Sequence, residues 1–464
     1  MKLSEIIDCD YNIDITGIAE DSRNVKPGYL FIATKGFNVD HFDYIEAAIS
    51  SGAVAVICDR KAEFSVPTIV VADINKALIS CCENFYGIKP GDFSFIGITG
   101  TDGKTTVASL IKQILDDTFS TAYIGTNGLS VNNKKVSTSN TTPCICELYP
   151  LFSTIKENGC KDVVMEVSSE ALLHGRVDSI KYDVAVYTNI TEDHLNVHKT
   201  IDNYINSKIK LCGLVKDNGI ILVNGDDYNC KAIDDLRKRT YGFSGDNYYV
   251  INNVNFMSKN VKFDISCEEF SYTIESPMVG EFNIYNVAVA FIIGFLKKIP
   301  ANVLLDRIKN FKPIDGRMEN LNFGQDYTII LDYAHTYNGI KSVLECFKSA
   351  QRIILVTGAA GGREKEKRSK IGKLILSKAD FVIFTMDDPR YESVEDIITQ
   401  MIGDFKSNNY ESIIDRQEAI YRAFDMANSG DVVLILGKGR DNYMAIEDKK
   451  LPYCDYDVIK SYFE

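Results

Sequence analysis

The sequence predicts an α/β protein of three domains. They are a small N-terminal α/β domain (residues 1–88), a central P-loop domain with a mainly parallel sheet (89–313) and a C-terminal Rossmann-like α/β domain (314–464). Three observations predict this. The last third alternates strand and helix patterns strictly. A Gly/Thr-rich turn, Gly100-Thr-Asp-Gly-Lys-Thr-Thr106, stands between an apolar strand and an amphipathic helix. A length of 464 residues supplies two to four domains at roughly 100–200 residues each.

In the first block, Tyr29-Leu-Phe-Ile-Ala-Thr and Ala53-Val-Ala-Val-Ile-Cys read as strands, and residues 42–51 carry helical spacing. Lys89-Pro-Gly91 reads as a linker. The second block opens with the strand Phe93-Ser-Phe-Ile-Gly-Ile. The helix after the turn places Val107, Leu110, Ile111, Ile114 and Leu115 on one face. Val163-Val-Met and Val184-Ala-Val-Tyr fit buried parallel strands. The polar run 132–142 is expected to be a mobile loop, and the block ends near Phe311-Lys-Pro313. In the third block, Thr328-Ile-Ile-Leu, Arg352-Ile-Ile-Leu-Val and Phe381-Val-Ile-Phe each precede a helical pattern, at 338–350, near Ile371 and near Val394. Val432-Val-Leu-Ile-Leu closes the series. In such a doubly wound sheet, ligands bind at the C-terminal ends of the strands.

Composition excludes several classes. Lys and Arg total 51 against 64 for Asp and Glu, a net charge of −13, which opposes general nucleic-acid binding. The first residues lack a signal-peptide layout, because Glu5 and Asp8 interrupt them. The longest apolar stretch, 287–296, falls short of the ~20 residues that span a bilayer. Twelve cysteines occur without any CxxC spacing, so neither a zinc cage nor a thioredoxin-like motif is expected. Free thiols and a cytoplasmic location are expected instead.

The Gly100–Thr106 segment carries the sharpest chemical signal. Backbone N–H groups of Gly100, Thr101, Asp102, Gly103, Lys104, Thr105 and Thr106 can face phosphate oxygens at a helix N-terminus. Lys104 would neutralise β/γ-phosphate charge and the Thr105 hydroxyl would ligate Mg²⁺. The general P-loop pattern has a glycine where this chain has Ile98, and a ligand-free αβ turn is the plainer alternative. Glu166-Val-Ser-Ser and Thr188-Asn-Ile-Thr-Glu-Asp-His194 follow the next strands. Glu166 suits Mg²⁺ as an oxygen ligand and His194 as a nitrogen ligand. Read singly, they are equally a helix-start acid and a capping or packing histidine.

Taken in order, GTDGKTT, EVSS, NITEDH and Tyr204-Ile-Asn-Ser-Lys208 resemble the central domain of the Mur ligases, ATP-dependent amide-forming enzymes of peptidoglycan precursor synthesis. The resemblance continues through Gly280-Glu-Phe-Asn-Ile-Tyr-Asn286, Gly316-Arg-Met-Glu319 and Leu331-Asp-Tyr-Ala-His335, and so covers essentially the whole chain. It implies that Lys208 is carbamylated and joins Thr105, Glu166 and His194 as a Mg²⁺ ligand. Lys104, Glu166, His194 and Lys208 would then be the catalytic set. It further implies that Asn286, Arg317, Asp332 and His335 meet ATP.

Asp21-Ser-Arg23 with Pro27-Gly28, and Thr141-Thr-Pro143, resemble the branch of the family that adds the third residue. This implies a UDP-binding N-terminal domain with Ser22 and His41 near the UDP end. It also implies that Thr141, Thr142, Ser168, His174 and Arg176 hold the muramoyl peptide. Glu170 stands where that branch usually has His. Asp387-Asp388-Pro389-Arg390 resembles the DNPR element of diaminopimelate-adding enzymes, with Asp388 in place of Asn. The Arg390 fork suits a distal carboxylate; the alternative is an exposed residue before a helix. Gly437-Lys-Gly-Arg-Asp441 stands for GKGHE, with Gly437 and Asp441 as contacts. The loop 358–368 reads as an anion-binding or a merely solvated turn, and the resemblance implies that Arg368 meets the incoming amino acid.

The implied activity is ATP-dependent addition of a diamino acid to UDP-MurNAc-L-Ala-D-Glu through an acyl phosphate, with ATP and Mg²⁺ as cofactors. meso-Diaminopimelate is favoured, with L-lysine or another diamino acid open. The rivals are a folylpolyglutamate synthase and a non-catalytic nucleotide-binding relative. A monomer without nucleic-acid or membrane partners is expected.

Overall fold

The computed structural model describes residues 1–36, 39–257 and 260–464. It forms two compact units. The first comprises Met1–Gly100, Ile111–Thr188 and Ile205–Thr240; the second comprises Thr101–Leu110, Asn189–Tyr204 and Tyr241–Glu464.

The first unit opens with a four-stranded parallel sheet of β1 (Gly17–Ala19), β2 (Tyr29–Ile32), β3 (Ala53–Cys58) and β4 (Thr68–Val70), in that order. Phe31, Ala48 and Val56 anchor its core. The strands that follow are β5 (Ser94–Thr99), β6 (Thr121–Gly125), β7 (Gly128–Val131), β8 (Lys134–Val136), β9 (Asp162–Glu166), β10 (Tyr182–Tyr187) and β11 (Val215–Asn224). They lie in the order β11-β10-β5-β9-β6-β7-β8. The first five run parallel, and β7 and β8 turn back antiparallel. The expected loop 132–142 is corrected here. Residues 134–136 are β8, paired to β7 through the backbone while their side chains stay exposed. Polar composition reports side chains, so it hid a strand whose stability lies in its ladder.

β12 (Lys238–Gly242) carries the chain onward and pairs with β13 (Tyr249–Phe256) at Tyr241 and Tyr249. In the second unit β13, β14 (Val261–Cys267) and β15 (Phe270–Ser276) form an antiparallel meander. Helix Glu281–Leu296 follows, and its 287–294 stretch is core. Among the described residues no helix is long and apolar enough to cross a membrane.

The remaining strands are β16 (Glu319–Leu321), β17 (Thr328–Asp332), β18 (Ile353–Thr357), β19 (Phe381–Phe384), β20 (Tyr410–Ser412) and β21 (Val432–Leu436), in the order β16-β17-β21-β18-β19-β20. β16 is antiparallel and the others are parallel. β21, last in sequence of the six, therefore sits between β17 and β18. Apolar layers cover both faces, one around Ile375 and Val382, the other around Ile420 and Val433. A hairpin of β22 (Tyr443–Ile446) and β23 (Lys449–Pro452) precedes the final helix, Asp455–Phe463.

Helices Glu366–Lys378 and Val394–Ile402 pack closely because Gly372 has no side chain. A Cβ there would lie 1.7 Å from the Met401 carbonyl oxygen. Gly372→Ala should cost about 1–3 kcal/mol or more despite alanine's better helix propensity, measured as a lower denaturant midpoint at unchanged m-value.

Candidate active site

In the first unit, Glu166 ends β9 with no exposed surface. Its Oε1 accepts from the Tyr123 hydroxyl at 2.5 Å and the Thr126 N–H at 3.0 Å, and its Oε2 from the Thr126 hydroxyl at 3.3 Å. Gly125 permits this approach, because a Cβ would stand 2.2 Å from Oε1. Thr142, also fully buried, donates to the Glu166 carbonyl at 2.8 Å and accepts from the Ser168 N–H at 2.9 Å. Its own carbonyl accepts from Arg176 at 3.2 Å. Ser168 caps the helix Ser169–Leu173 through Ala171 N–H. Thr142 thus clamps the 166–168 turn through its hydroxyl. Thr141 remains half-buried beside it, as do Ser168, His174 and Arg176. Burial, then the charge of Arg176, lowers the His174 pKa below the ordinary imidazole value.

Lys208 is 1% exposed and donates to the Gly100 carbonyl at 2.7 Å. Tyr204, one turn earlier on helix Ile201–Ile209, is hydrogen-bonded to Thr101 Oγ1 at 3.0 Å. Residues four apart share a helix face, so the YxxxK spacing reaches two consecutive residues of the Gly/Thr turn. In the N-terminal sheet region, Asp21 accepts from Arg23 N–H beside half-buried Ser22, and His41 Nδ1 lies 2.9 Å from Thr34 Oγ1.

The second unit holds the rest of the turn. Asp102 N–H donates to Asn189 Oδ1 at 3.0 Å, and Asn189 Nδ2 donates back to the Asp102 carbonyl at 3.1 Å. Thr101 binds residue 191 in both directions, and Lys104 Nζ donates to the Thr101 carbonyl at 2.8 Å. Gly103 adopts φ +85° immediately before the helix Lys104–Phe119, a conformation glycine takes without penalty. Thr106 is buried behind it. The hydroxyl of Thr105 accepts from Arg317 at 3.0 Å, and the Asp102 carboxylate accepts from Thr336 at 3.1 Å. Arg317 lies over the Tyr333 ring.

Asp332 accepts from the N–H groups of Met318 and Ala334, and burial raises its pKa. His335 is exposed with Nδ1 on the Tyr333 carbonyl, and Asn286 is buried against Asn283. Asp193 accepts from Lys367 at 2.5 Å and from His194 N–H at 2.9 Å. Burial alone would raise its pKa. The charges of His194, Lys367 and His335 outweigh that and hold the carboxyl well below its usual range.

At the ends of β19 and β21, Asp388 Oδ1 accepts from Lys438 Nζ and Ala445 N–H, both at 2.8 Å. Asp441 lies 3.6 Å from Lys438. Burial raises Asp387 and Asp441 against the pull of Lys438. Gly437 touches Asp387, where a Cβ would lie 2.3 Å from Oδ2. Pro389 is buried, and Arg390 is half-buried with Nη1 on the Gly361 carbonyl.

Arg368 is 2% exposed, and Nη1 and Nη2 donate to Glu392, Gln400 and the Ala360 carbonyl. These bonds brace the glycine-rich loop. Sequence reading gave no role to Tyr123 and Thr126, whose only signal was position at a strand end, nor to Asn189 and Lys438, which lie inside the NITEDH and GKGRD segments.

The bond from Arg368 lowers the Glu392 pKa from 4.5 to about 2. A depressed carboxyl stabilises the fold above the unfolded value and loses that contribution as pH falls towards the folded one. Glu392→Gln should therefore be destabilised relative to wild type at pH 6, and the gap should close between about pH 4.5 and 2, followed by denaturant titration.

Three family models match the chain: "Mur ligase family, catalytic domain" over residues 14–89, "Mur ligase middle domain" over 98–294, and "Mur ligase, glutamate ligase domain" over 316–439. The UDP-N-acetylmuramoyl-L-alanyl-D-glutamate–2,6-diaminopimelate ligase of Caldanaerobacter subterraneus is 37% identical, covering 97% of this chain and 95% of that one. A solved structure of an enzyme of that name superposes with TM-score 0.68 at 27% identity, covering 100% and 98%. A MurF ligase from Thermotoga maritima in complex with ADP shares the fold, with TM-score 0.67 at 20% identity over 90% and 93%. The chain belongs to the Mur ligase family of ATP-dependent ligases.

Proposed function

We propose that the chain adds the third residue to UDP-MurNAc-L-Ala-D-Glu, with meso-diaminopimelate as the incoming amino acid. One observation carries this reading: the 37% identity, across 97% of the chain, to a relative named for that reaction. The D-Glu side-chain carboxylate attacks the ATP γ-phosphorus, and ADP leaves. The amine then attacks the acyl phosphate carbon, and phosphate departs from the tetrahedral intermediate. Positioning and charge neutralisation carry the first step; exclusion of water protects the acyl phosphate.

Residues 1–88 take the UDP end, with Ser22 and His41 as contacts. Residues 89–313 take ATP and the peptide, and residues 314–464 take the amino acid. The turn N–H groups from Gly100 to Thr106 and the Lys104 ammonium bind the phosphates. Asn286, Arg317, Asp332 and His335 contact the nucleoside side. Thr141, Ser168, His174 and Arg176 orient the peptide. Arg390 pairs with the distal carboxylate of diaminopimelate, and Asp387, Asp388, Gly437 and Asp441 line the amine side.

The donor chemistry fits Mg²⁺. Glu166 presents a buried carboxylate already oriented by Tyr123 and Thr126, and hard cations prefer such oxygens. Lys208 as an ammonium would repel the ion, whereas its carbamate is an anionic oxygen ligand. Thr105 and His194 complete the proposed set. When bound, the metal neutralises phosphate charge. A cytoplasmic location accords with twelve free thiols.

The Asp388 and Asp441 carboxylates beside Lys438 favour a cationic side chain, so lysine is the second reading. Amine-dependent ADP release, measured with diaminopimelate, lysine and ornithine in parallel, tests both. Diaminopimelate should give the highest kcat/KM. A lysine preference would replace the first reading with the second, and silence with every amine would reject the ligase.

Lys208→Ala should lower turnover about 100-fold or more, the scale of one lost preorganised electrostatic contact. Short-chain carboxylates should restore part of it. Full activity in the unsupplemented variant would eliminate the carbamate.

A further inference from the structure

Beneath the strand ends just described lies an ion pair that the reaction does not use. Arg416 and Asp455 have side chains with no exposed surface. Arg416 Nε and Nη2 donate to Asp455 Oδ1 and Oδ2 at 2.8 and 2.7 Å, and the Tyr453 hydroxyl adds a third bond to Oδ1 at 2.8 Å. A buried pair of this kind is a poor source of stability, because desolvating two charges offsets most of their attraction.

Two further donors of the fork reach backbone. Nη2 donates to the Leu436 carbonyl at 3.0 Å and Nη1 to the Met386 carbonyl at 3.4 Å. These two residues immediately precede Gly437-Lys438 and Asp387-Asp388. One rigid guanidinium therefore registers the two turns against each other from below, while the Lys438–Asp388 pair joins them above. The turns need such support. Asp388 and Arg390 are non-glycine residues at φ +42° and +53°, which persist only where their surroundings hold them. Gly437 and Asp387 are in contact, so a small displacement of either strand end moves both turns.

We propose that Arg416, held by Asp455 and Tyr453, is the positioning residue for the incoming amino acid, setting the distance between the Asp387–Arg390 turn and the Gly437–Asp441 turn. This rests on the reading that these turns receive that substrate. Arg416 does not touch substrate; it acts through the backbone carbonyls of 386 and 436.

Arg416→Lys keeps the charge and removes the planar fork. The KM for the amino acid should rise on the order of tenfold or more. The KM values for ATP and UDP-MurNAc-L-Ala-D-Glu should stay within about twofold, and acyl phosphate formed without amine, trapped by hydroxylamine, should be unchanged. Tyr453→Phe removes one bond to Asp455 and should give the same split at smaller size; it decides the matter if Arg416→Lys does not fold. A parallel change in all three KM values, or a lower Tm with every KM unchanged, overturns the proposal. A wild type without amine-dependent turnover rejects the ligase reading and this inference together. Normal wild-type turnover with unsplit variants rejects the inference alone.

Discussion

A carboxyl group with no exposed surface is tolerated only where its oxygens accept hydrogen bonds. Glu166 meets that condition through Tyr123 and Thr126, and much of the first unit follows from it. β6 must lie beside β9 to bring Tyr123 within reach, and its last residue must be Gly125. The segment after β8 must return Thr142 beneath the 166–168 turn, where its hydroxyl is both donor and acceptor. A turn built this way keeps the carboxylate in one orientation, which is what preorganisation requires.

The second unit solves a related problem with guanidinium groups. Strand-end turns rich in glycine and left-handed backbone are weak by themselves. Three arginines stiffen them from within: Arg368 ties the 358–362 loop to Glu392, Arg416 ties two strand ends to Asp455, and Arg440 binds Glu319 in a fork while lying over the Tyr456 ring. A planar five-donor group can hold a carboxylate and a backbone carbonyl at once, which lysine does less well. Arginines in a sequence motif near a site are therefore ambiguous between substrate contact and brace, and only their partners separate the two.

That ambiguity marks the boundary of what was legible in the sequence. The parallel strands were legible because burial on both faces writes continuous apolar runs such as Val432–Leu436. The turn at 100–106 was legible because glycine, lysine and threonine are local requirements of one short segment. The β13–β15 meander was not, since its strands alternate buried and exposed residues over stretches broken by polar side chains. Nor were the placement of β21 between β17 and β18, the clamp at Thr142, or the pair of Arg416 with Asp455. Each depends on residues tens of positions apart, and periodicity carries no record of such partners. Arg368 shows the same limit in reverse: its motif was evident, but its engagement with Glu392 and Gln400 was not.

The departures from the DNPR and GKGHE patterns become coherent once partners are known. Arg440 replaces a histidine, and its added charge is matched by Glu319 of the GRME segment. Asp388 replaces an asparagine, and its Oδ1 is held by Lys438 and Ala445 N–H, bonds an asparagine oxygen would also accept. The substitution therefore keeps these two bonds, turns the second terminal atom from an N–H donor into an acceptor and adds a negative charge. Asp387 and Asp441 crowd the same lysine, and their raised pKa values, caused first by burial, register that crowding as well. One ammonium facing three carboxyl groups leaves this corner more anionic than the asparagine pattern would. Arg390 supplies positive charge nearby, its Nη1 on the Gly361 carbonyl, so charges of both signs stand at these strand ends, and fixed charges of both signs orient a zwitterionic group more strongly than a simple cation.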